Sequence, residues 1–232
     1  MNFFKKTRLC KMNICMIPVR KDSERLAKKN YLKIGSYTIL EIAIAKAIQS
    51  KAFDRIFINS DDPSLEEVAI QSGIDFYLRD KKLASSKATS DQVVLDFFNN
   101  TDGDRLFWVN TVSPVQTIND IENFVNLSQG RSWKSGVSVN TVSVHAIFNN
   151  GPLNFEWKNG FARTQDLSPF KTFNYAMMGW SRSMINILEK GQLFDEDTQL
   201  VESSKWSSFL LKNHDDMNFI KTLIDIAPNQ RK

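Results

Sequence analysis

Short apolar runs alternate with stretches of helically spaced apolar residues over the first half of the chain. Residues 14–19 and 55–60 are apolar runs of the length and composition of buried strands. Between them, residues 37–50 place their apolar side chains at helical spacing, which predicts an amphipathic helix. Residues 74–78 and 105–110 predict a third and a fourth strand.

Turn and capping residues predict where the helices between these strands begin and end. Asp62 followed by proline favours a helix start, because aspartate suits the N-cap and proline suits the first helical position. Gly73 predicts the end of that helix. Thr89 or Ser90 is predicted to cap a helix that ends at residue 98. Thr117, with Asp120 three residues on, opens the next helix as a capping box.

This alternation over residues 13–130 is typical of βαβ units with parallel strands. We therefore predict an α/β protein with a mostly parallel, twisted sheet flanked by helices. Ligands of such sheets bind outside the carboxyl ends of the strands. The polar loops after Val19, Ser60 and Asn110 form the predicted binding edge.

The middle of the chain follows a different pattern, rich in turn signals and aromatic residues. Residues 148–152 form a turn cluster, and Asn159-Gly160 is a hairpin signal preceded by alternating aromatic residues. We predict that residues 141–172 form a β-hairpin arm that protrudes from the sheet. A strand then returns to the sheet, and helices are expected to fill most of residues 181–225.

Length and composition fit one globular domain over residues 13–232, preceded by an extension over residues 1–12. Of the 232 residues, 42% are hydrophobic and 24% are charged, the profile of a soluble protein. No stretch reaches the roughly 20 apolar residues of a membrane span, and the apolar run nearest the N-terminus is too short for a signal peptide. Two cysteines without zinc-ligand spacing weakly favour a reducing compartment. We expect a cytoplasmic protein that does not contact membranes.

The charge balance argues against a nucleic-acid partner. The net charge of +4 comes from 30 basic and 26 acidic residues, and most of the basic residues are scattered. Nucleic-acid-binding proteins usually concentrate them in a patch or stripe. A cluster at residues 20–33 is the exception.

This basic cluster begins directly after the first predicted strand. It contains Arg20, Ser23, Arg25, Lys29 and Asn30. A triphosphate needs several converging donors, and arginine forks, lysine point charges, serine hydroxyls and loop N–H groups all supply them. The segment has neither the Walker pattern nor the GxGxxG fingerprint. We predict a phosphate-binding loop; the alternative is a solvated basic loop.

The same segment resembles a known family. Pro18-Val19-Arg20-Lys21-Asp22-Ser23-Glu24-Arg25, followed by Lys29-Asn30, is similar to the Pro-Ala-Arg-x-x-Ser-x-Arg and Lys-Asn motif of the acylneuraminate cytidylyltransferases, the CMP-sialic acid synthetases. Weaker likenesses follow in the family's order along residues 13–220, at Asn59-Ser60-Asp61-Asp62, Tyr77-Leu78-Arg79-Asp80, Thr89-Ser90-Asp91, Ser113-Pro114 and Arg163-Thr164-Gln165-Asp166-Leu167.

The resemblance implies a Rossmann-like nucleotidyltransferase fold and an enzyme that transfers CMP from CTP to a sialic-acid-like nonulosonic or related acidic sugar. Pyrophosphate leaves, and Mg²⁺ is the implied cofactor. Arg20 and Lys29 are the implied catalytic residues. The implied nucleotide-binding residues are Arg20, Ser23, Arg25, Lys29, Asn30, Arg79, Ser90 and Asn110. The implied sugar-binding residues are Gln116, Arg163, Gln165 and Phe194.

Departures from the family pattern leave the acceptor and the metal ligands open. Asn110 stands where the family has glutamine, and Gln116 stands where it has arginine. The family's metal-binding Asp-Ile-Asp aligns with residues 212–214, which are Lys-Asn-His here. Asp215 and Asp216 follow at once, as candidate metal ligands or as the first turn of a helix.

Two alternatives to this function stay open. One is a Kdo-type or other-acceptor cytidylyltransferase, and the other is a degenerate homologue that binds nucleotide without catalysis. Because exposed aromatic hairpins are often oligomer contacts, we also predict a homodimer formed through Phe155 and Trp157 of the arm.

Overall fold

A central sheet lies between layers of helices in the computed structural model, which describes residues 11–21, 29–158 and 161–226. In chain order the strands are β1 (Asn13–Val19), β2 (Lys33–Ile34), β3 (Tyr37–Thr38), β4 (Arg55–Ser60), β5 (Asp75–Leu78), β6 (Arg105–Val109), β7 (Ser135–Val142), β8 (Ile147–Phe148), β9 (Gly151–Pro152), β10 (Phe170–Ser181) and β11 (Gln199–Glu202). The α-helices are α1 (Ile39–Gln49), α2 (Leu65–Ser72), α3 (Ser90–Asn99), α4 (Ile118–Leu127), α5 (Ile185–Leu188) and α6 (His214–Ile226).

The main sheet has seven strands in the order β11-β7-β10-β6-β1-β4-β5. β1 pairs in parallel with β4 and β6, β4 pairs in parallel with β5, and β11 pairs in parallel with β7. Among the described strands of this sheet, β10 alone is antiparallel to its neighbours β6 and β7. The predicted α/β fold with a mostly parallel sheet is confirmed, and the carboxyl ends of six strands share one edge.

Alternating side chains of β1 explain why both faces of the sheet are covered. Ile14 and Met16 pack into a cluster with apolar residues of α3 and α5. Cys15 and Ile17 point to the opposite face, where they pack with residues of α1, α2 and α4. Cys15 is fully buried, and this burial raises the pKa of its thiol. It is therefore a small core residue, as its apolar run predicts.

Most of the predicted helix signals act as expected. Thr89 and Thr117 each form a capping box, the second with Asp120. Gly73 ends α2 in the left-handed conformation, with φ of 68°. The predicted start of α2, with Asp62 as N-cap and proline as the first helical residue, is two residues too early. The Asp62 carboxylate accepts from Ser64 N–H and hydroxyl, which stabilises a turn before the helix begins at Leu65.

Two predictions in the second half need correction. Residues 189–213 contain no α-helix; they hold a short 3-10 helix at Lys205–Ser208 and β11, a short edge strand that pairs with β7. Within the predicted arm, the hairpin is β8–β9, and its turn residues Asn149 and Asn150 have φ of 48° and 63°. Residues 154–158 form no strand, and Asn159-Gly160 lies outside the described residues. Aromatic packing explains the difference, since Phe155 packs edge-on against His145 instead of pairing along a strand.

No helix within the described ranges is long and apolar enough to cross a membrane.

Candidate active site

A buried arginine lies at the carboxyl ends of β1, β4 and β5. Arg79 follows β5 and is 3% exposed. Its Nη2 donates to Val19 O over 2.9 Å and lies 3.7 Å from Asp61 Oδ1. Burial lowers the pKa of the Arg79 guanidinium, and the Asp61 charge opposes this effect. Its Nε is buried and has no hydrogen-bond partner among the described residues.

Two consecutive aspartates after β4 hold the two ends of the predicted phosphate loop. At the first end, Lys21 N–H donates to Asp61 Oδ1 over 3.0 Å. At the other end, Tyr31 Oη donates to Asp62 Oδ2 over 2.8 Å. Burial and this hydrogen bond raise the pKa of Tyr31 to about 12, so the phenol remains a donor at neutral pH. The loop between Lys21 and Tyr31 is therefore anchored on the edge of the sheet at both of its ends.

Asn30 closes the base of the same loop. Its Nδ2 donates to Arg20 O over 3.3 Å, and its Oδ1 accepts from Thr111 Oγ1 over 2.9 Å. The Asn30 side chain is buried, with the residue 6% exposed. The Asn30 side-chain amide thus joins the loop to the segment after β6. Its predicted role in seating the base or ribose remains a prediction.

The remaining predicted phosphate ligands are described in part. Arg20 is half-buried, and its Nη1 lies 3.5 Å from Ser85 O as a long hydrogen bond. Ser90 begins α3 five residues after Ser85 and is half-buried. Ser23 and Arg25 lie outside the described residues. For Lys29 only the backbone is described, as the first residue of a 3-10 turn at Lys29–Tyr31.

Asn110 lies at the carboxyl end of β6 and contacts β10. Its Nδ2 donates to Tyr175 O over 3.2 Å, and its backbone N–H donates to Ala176 O over 3.1 Å. Gln116 lies in the loop after β6 and is 3% exposed. Both residues are at the binding edge, where the sequence predicts them. Their roles in nucleotide binding and sugar binding remain predictions.

A network of neutral polar side chains lies beside Asn110, between β7, β10 and β11. Asn174 is its centre and is 3% exposed. Asn174 Oδ1 accepts from Ser138 Oγ, and its Nδ2 donates to Asn140 Oδ1 and Ser203 Oγ, each over 2.7 Å. Because every one of these polar groups has a partner, the network fixes the local backbone. The sequence alone does not reveal this network, because the pairing of its residues is not local in sequence.

The predicted sugar-binding residues lie on the arm and beside it. Arg163 and Gln165 are exposed on the arm, at the 3-10 turn Thr164–Asp166. Arg163 makes a two-pronged ion pair with Asp166, with nitrogen–oxygen distances of 2.7 and 3.2 Å. Phe194 is half-buried and stacks on Trp180 at a centroid distance of 5.8 Å. Phe194 therefore packs in the core on one side, and one edge of its ring faces Phe173.

Asp215 and Asp216 begin α6 and lie close in sequence to a contact with the binding edge. Leu211 N–H donates to Val112 O over 2.7 Å, so the segment before α6 lies beside the loop after β6. Asp216 Oδ2 accepts from the N–H groups of residues 212 and 213, and Asp215 is exposed. Asp216 is thus a helix-capping residue. The described residues contain no group of three or more histidine, cysteine and acidic side chains that could hold a metal ion.

One half of the edge can bind an anion, and the other half presents neutral polar groups. Around β1, β4 and β5, the site supplies two guanidinium groups, at Arg20 and Arg79. Around β7, β10 and β11, it supplies amides and hydroxyls. The sequence indicated Arg20 because it belongs to a basic cluster directly after one strand, whereas Arg79 came from the family resemblance. Sequence reasoning missed Tyr31 and Thr111, which act only through contacts distant in the sequence.

The chain is similar to known cytidylyltransferases. The family model described as cytidylyltransferase matches residues 14–165. A pseudaminic acid cytidylyltransferase of Campylobacter jejuni is 35% identical over 83 residues, which are 35% of this chain and 36% of that protein. An N-acylneuraminate cytidylyltransferase of Streptococcus agalactiae is 25% identical over 218 residues, 88% of this chain and 51% of that protein. The chain thus spans about half, or less, of the length of these curated relatives.

A solved structure shares the fold over most of its length. It is a CMP:2-keto-3-deoxy-manno-octonic acid synthetase complexed with CTP, with a TM-score of 0.69 and 12% identity, and the match covers 93% of this chain and 99% of that one. At this identity the likeness concerns the fold. The family match spans β1, the basic loop and the segments that carry Asp61, Arg79 and Asn110, and with it the chain belongs to the cytidylyltransferase family.

Proposed function

We propose that the protein transfers CMP from CTP to a sialic-acid-like nonulosonic acid or a related acidic sugar. The observation that carries the proposal is the pair of guanidinium groups, Arg20 and the buried Arg79, at the base of a loop whose two ends are anchored by Asp61 and Asp62. The two relatives named above, which act on acidic nine-carbon sugars, support the choice of acceptor.

In the proposed reaction, a hydroxyl oxygen of the sugar attacks the α-phosphorus of CTP. A new P–O bond forms, the bond to the β-phosphate oxygen breaks, and pyrophosphate leaves while the hydroxyl proton passes to solvent. Such chemistry depends mostly on positioning and on neutralising the charge of the leaving group. Arg20, Arg79 and Lys29 supply the positive charge that neutralises the leaving group, and Asp61 keeps Arg79 in place.

Mg²⁺ is proposed to enter with the triphosphate. Magnesium is commonly bound by one or two protein carboxylates together with substrate phosphates. Asp61 and Asp215 are carboxylates at or near the binding edge and fit this requirement, whereas Asp216 already caps α6. When bound, the ion would offset the charge that develops on pyrophosphate.

We also propose that the arm joins two copies of the chain. Of the two predicted contact residues, Trp157 is 65% exposed, whereas Phe155 is half-buried against His145; Phe148 and Phe161 are 67% and 74% exposed on the same arm. Apolar patches of this kind on a soluble protein mark association sites, and two-fold dimers are the commonest assembly. Light scattering at micromolar concentration should give the mass of two chains, and Trp157→Ser should shift the protein toward the monomer. A monomeric wild type would contradict the proposal. The cytoplasmic location predicted from composition remains a prediction.

The acceptor is tested by measuring pyrophosphate release from CTP with N-acetylneuraminic acid, pseudaminic acid and Kdo, each with and without Mg²⁺. We expect release with one of the nine-carbon acids and no release with ATP in place of CTP. Release with Kdo alone would favour the alternative of a Kdo-type enzyme. Binding of CTP without turnover of any acid would favour a degenerate homologue.

A further inference from the structure

A bulge in β10 holds Tyr175 in a backbone conformation that tyrosine rarely adopts. Its φ is 53°, in the left-handed region that favours glycine. Phe173 pairs with Val139 of β7, and Met178 pairs with Val137, so the residues between them bulge opposite one residue of β7. Strained residues of this kind persist only where their surroundings hold them, and they cluster at functional sites.

The surroundings that hold this bulge are the buried network of Asn174. Asn174 Oδ1 accepts from Ala176 N–H over 3.1 Å, across Tyr175, while Ser138 Oγ accepts from Met177 N–H over 3.0 Å. These bonds span the bulge on both sides of Tyr175. A hydrogen-bonded network of this kind imposes one geometry on the backbone. The left-handed conformation of Tyr175 is thus built into the fold.

The bulge also places Tyr175 at the binding edge. The carbonyl of Tyr175 accepts from Asn110 Nδ2, directly beyond the carboxyl end of β6. In the sheet, β10 and β1 flank β6 on opposite sides. Arg20, Arg79 and the two described ends of the basic loop lie on the β1 side, where the cations attract the triphosphate. The β10 side is therefore available to the second substrate.

The side chains here present an aromatic surface. Tyr175 and Phe173 are 46% and 45% exposed, and their rings meet edge to face at a centroid distance of 5.7 Å. Phe194 extends this surface, with its centroid 6.4 Å from that of Phe173. Binding sites for small molecules combine aromatic walls with a few polar groups that fix orientation. Here Asn110 supplies a polar group next to such a wall.

We propose that Tyr175 selects the acceptor: its ring, with that of Phe173, packs against the C–H face and apolar substituents of the acidic sugar. The inference rests on the proposed function, because it names a contact of the second substrate at the same site. It also explains the strained backbone. The left-handed conformation places the large ring of Tyr175 at the binding edge, which an extended tyrosine would leave open.

Three variants separate the ring from the backbone strain. Tyr175→Phe keeps the ring, Tyr175→Ala removes the ring and keeps the strain, and Tyr175→Gly removes both. We expect Ala and Gly to raise the KM of the acceptor about tenfold, to leave the KM of CTP unchanged, and to alter the relative rates with N-acetylneuraminic acid, pseudaminic acid and Kdo. Phe should behave like the wild type. Because glycine tolerates positive φ, the Gly variant should melt about 2–4 °C above the Ala variant.

The outcomes distinguish this inference from the proposed function. If the wild type releases pyrophosphate with one of the sugars and the Gly variant keeps its acceptor KM and preferences, Tyr175 has only a structural role and the inference fails. A rise in the KM of CTP instead would place the ring against the nucleotide and also overturn it. A wild type that uses none of the three sugars overturns the proposed function and this inference together.

Discussion

The two halves of the binding edge differ in how they are built. At β1, β4 and β5 the edge carries ions: Arg20, Asp61, Asp62 and Arg79 lie at strand ends or just after them. At β7, β10 and β11 the central polar groups are neutral amides and hydroxyls around Asn174. We call the first the charged half and the second the neutral half, because the buried polar network of the second is neutral although the exposed Lys171–Glu202 ion pair lies at its surface.

The difference suggests how one edge separates the two proposed substrates, which both carry negative charge. Charge attracts both of them to the protein but does not tell them apart. Bidentate guanidinium groups suit phosphate oxygens, whereas a neutral network with aromatic rings recognises shape. Asn110, at the end of β6, lies at the border between the two halves. Variants in each half should therefore affect one substrate and spare the other.

The largest effect is expected from Asp61→Ala, because it leaves the buried Arg79 without its carboxylate. Removing one partner of a buried pair typically costs about 3 kcal/mol of unfolding free energy. Chemical denaturation measures this loss. CTP should restore more stability to the variant than to the wild type, since its phosphates replace the missing anion. The double variant Asp61→Ala/Arg79→Met should recover stability without recovering CTP binding. A single variant as stable as the wild type would show that Arg79 does not depend on Asp61.

Arg20→Ala tests the charged half directly. A charged hydrogen bond to a phosphate is worth about 1.5–3 kcal/mol, so the affinity for CTP should fall by about 10- to 100-fold. Arg131→Ala is the matched control, because this exposed arginine precedes β7 at the opposite edge of the sheet. Calorimetric titration with CTP measures both, and Lys29→Ala should behave like Arg20→Ala. Equal losses for Arg20 and Arg131 would mean that only net charge matters.

Asp215→Asn tests whether a carboxylate near the charged half helps to hold magnesium. We expect turnover to fall about tenfold and to recover in part with added Mg²⁺, with an unchanged melting temperature, because Asp215 is exposed. Asp216→Ala should instead lower stability by about 1 kcal/mol, through loss of the cap on α6. If Asp215→Asn is fully active in an active enzyme, Asp61 becomes the next candidate ligand.

The sequence predicts the charged half better than the neutral half, for a physical reason. The donors of the basic loop follow one strand within eleven residues, so a short window contains the whole signal. The neutral network joins Ser138, Asn174 and Ser203, which come from three strands or strand ends and meet only after the sheet has formed. Such residues look like ordinary polar positions until the strand pairing is known.

The missed strand and the strained tyrosine have similar explanations. β11 has four residues at the edge of the sheet, and only Val201 of the four is buried, so its apolar pattern is too short to indicate a strand. The left-handed conformation of Tyr175 is imposed by tertiary hydrogen bonds, whereas local preference would place glycine or asparagine there. Local patterns predicted Gly73 as a helix end because the helix itself requires that conformation.

The smallest effect concerns Asp120, the carboxylate that supports the neutral half from below. Its oxygens accept from Ser204 N–H and from the hydroxyls of Ser204 and Ser207, which ties the start of α4 to the segment after β11. Burial alone would raise the pKa of Asp120, but these hydrogen bonds hold it below its ordinary value of 3.8. At pH values above 3.8, the ionised carboxylate therefore contributes its full stabilisation to the folded state.

We expect Asp120→Asn to lower the unfolding free energy by about 1–2 kcal/mol at pH 7 while leaving CTP affinity unchanged. As the pH falls below 3.8 through the lowered folded-state pKa, the wild type loses this contribution and the difference between the two proteins shrinks. Urea denaturation of both proteins from pH 7 to pH 3 measures this difference in unfolding free energy. Glu66→Gln, an exposed carboxylate in the first turn of α2, is the control and should change stability by less than about 0.5 kcal/mol at every pH. A difference that stays constant down to pH 3 would mean that Asp120 acts through its shape, and the neutral half would then depend on no charge at all.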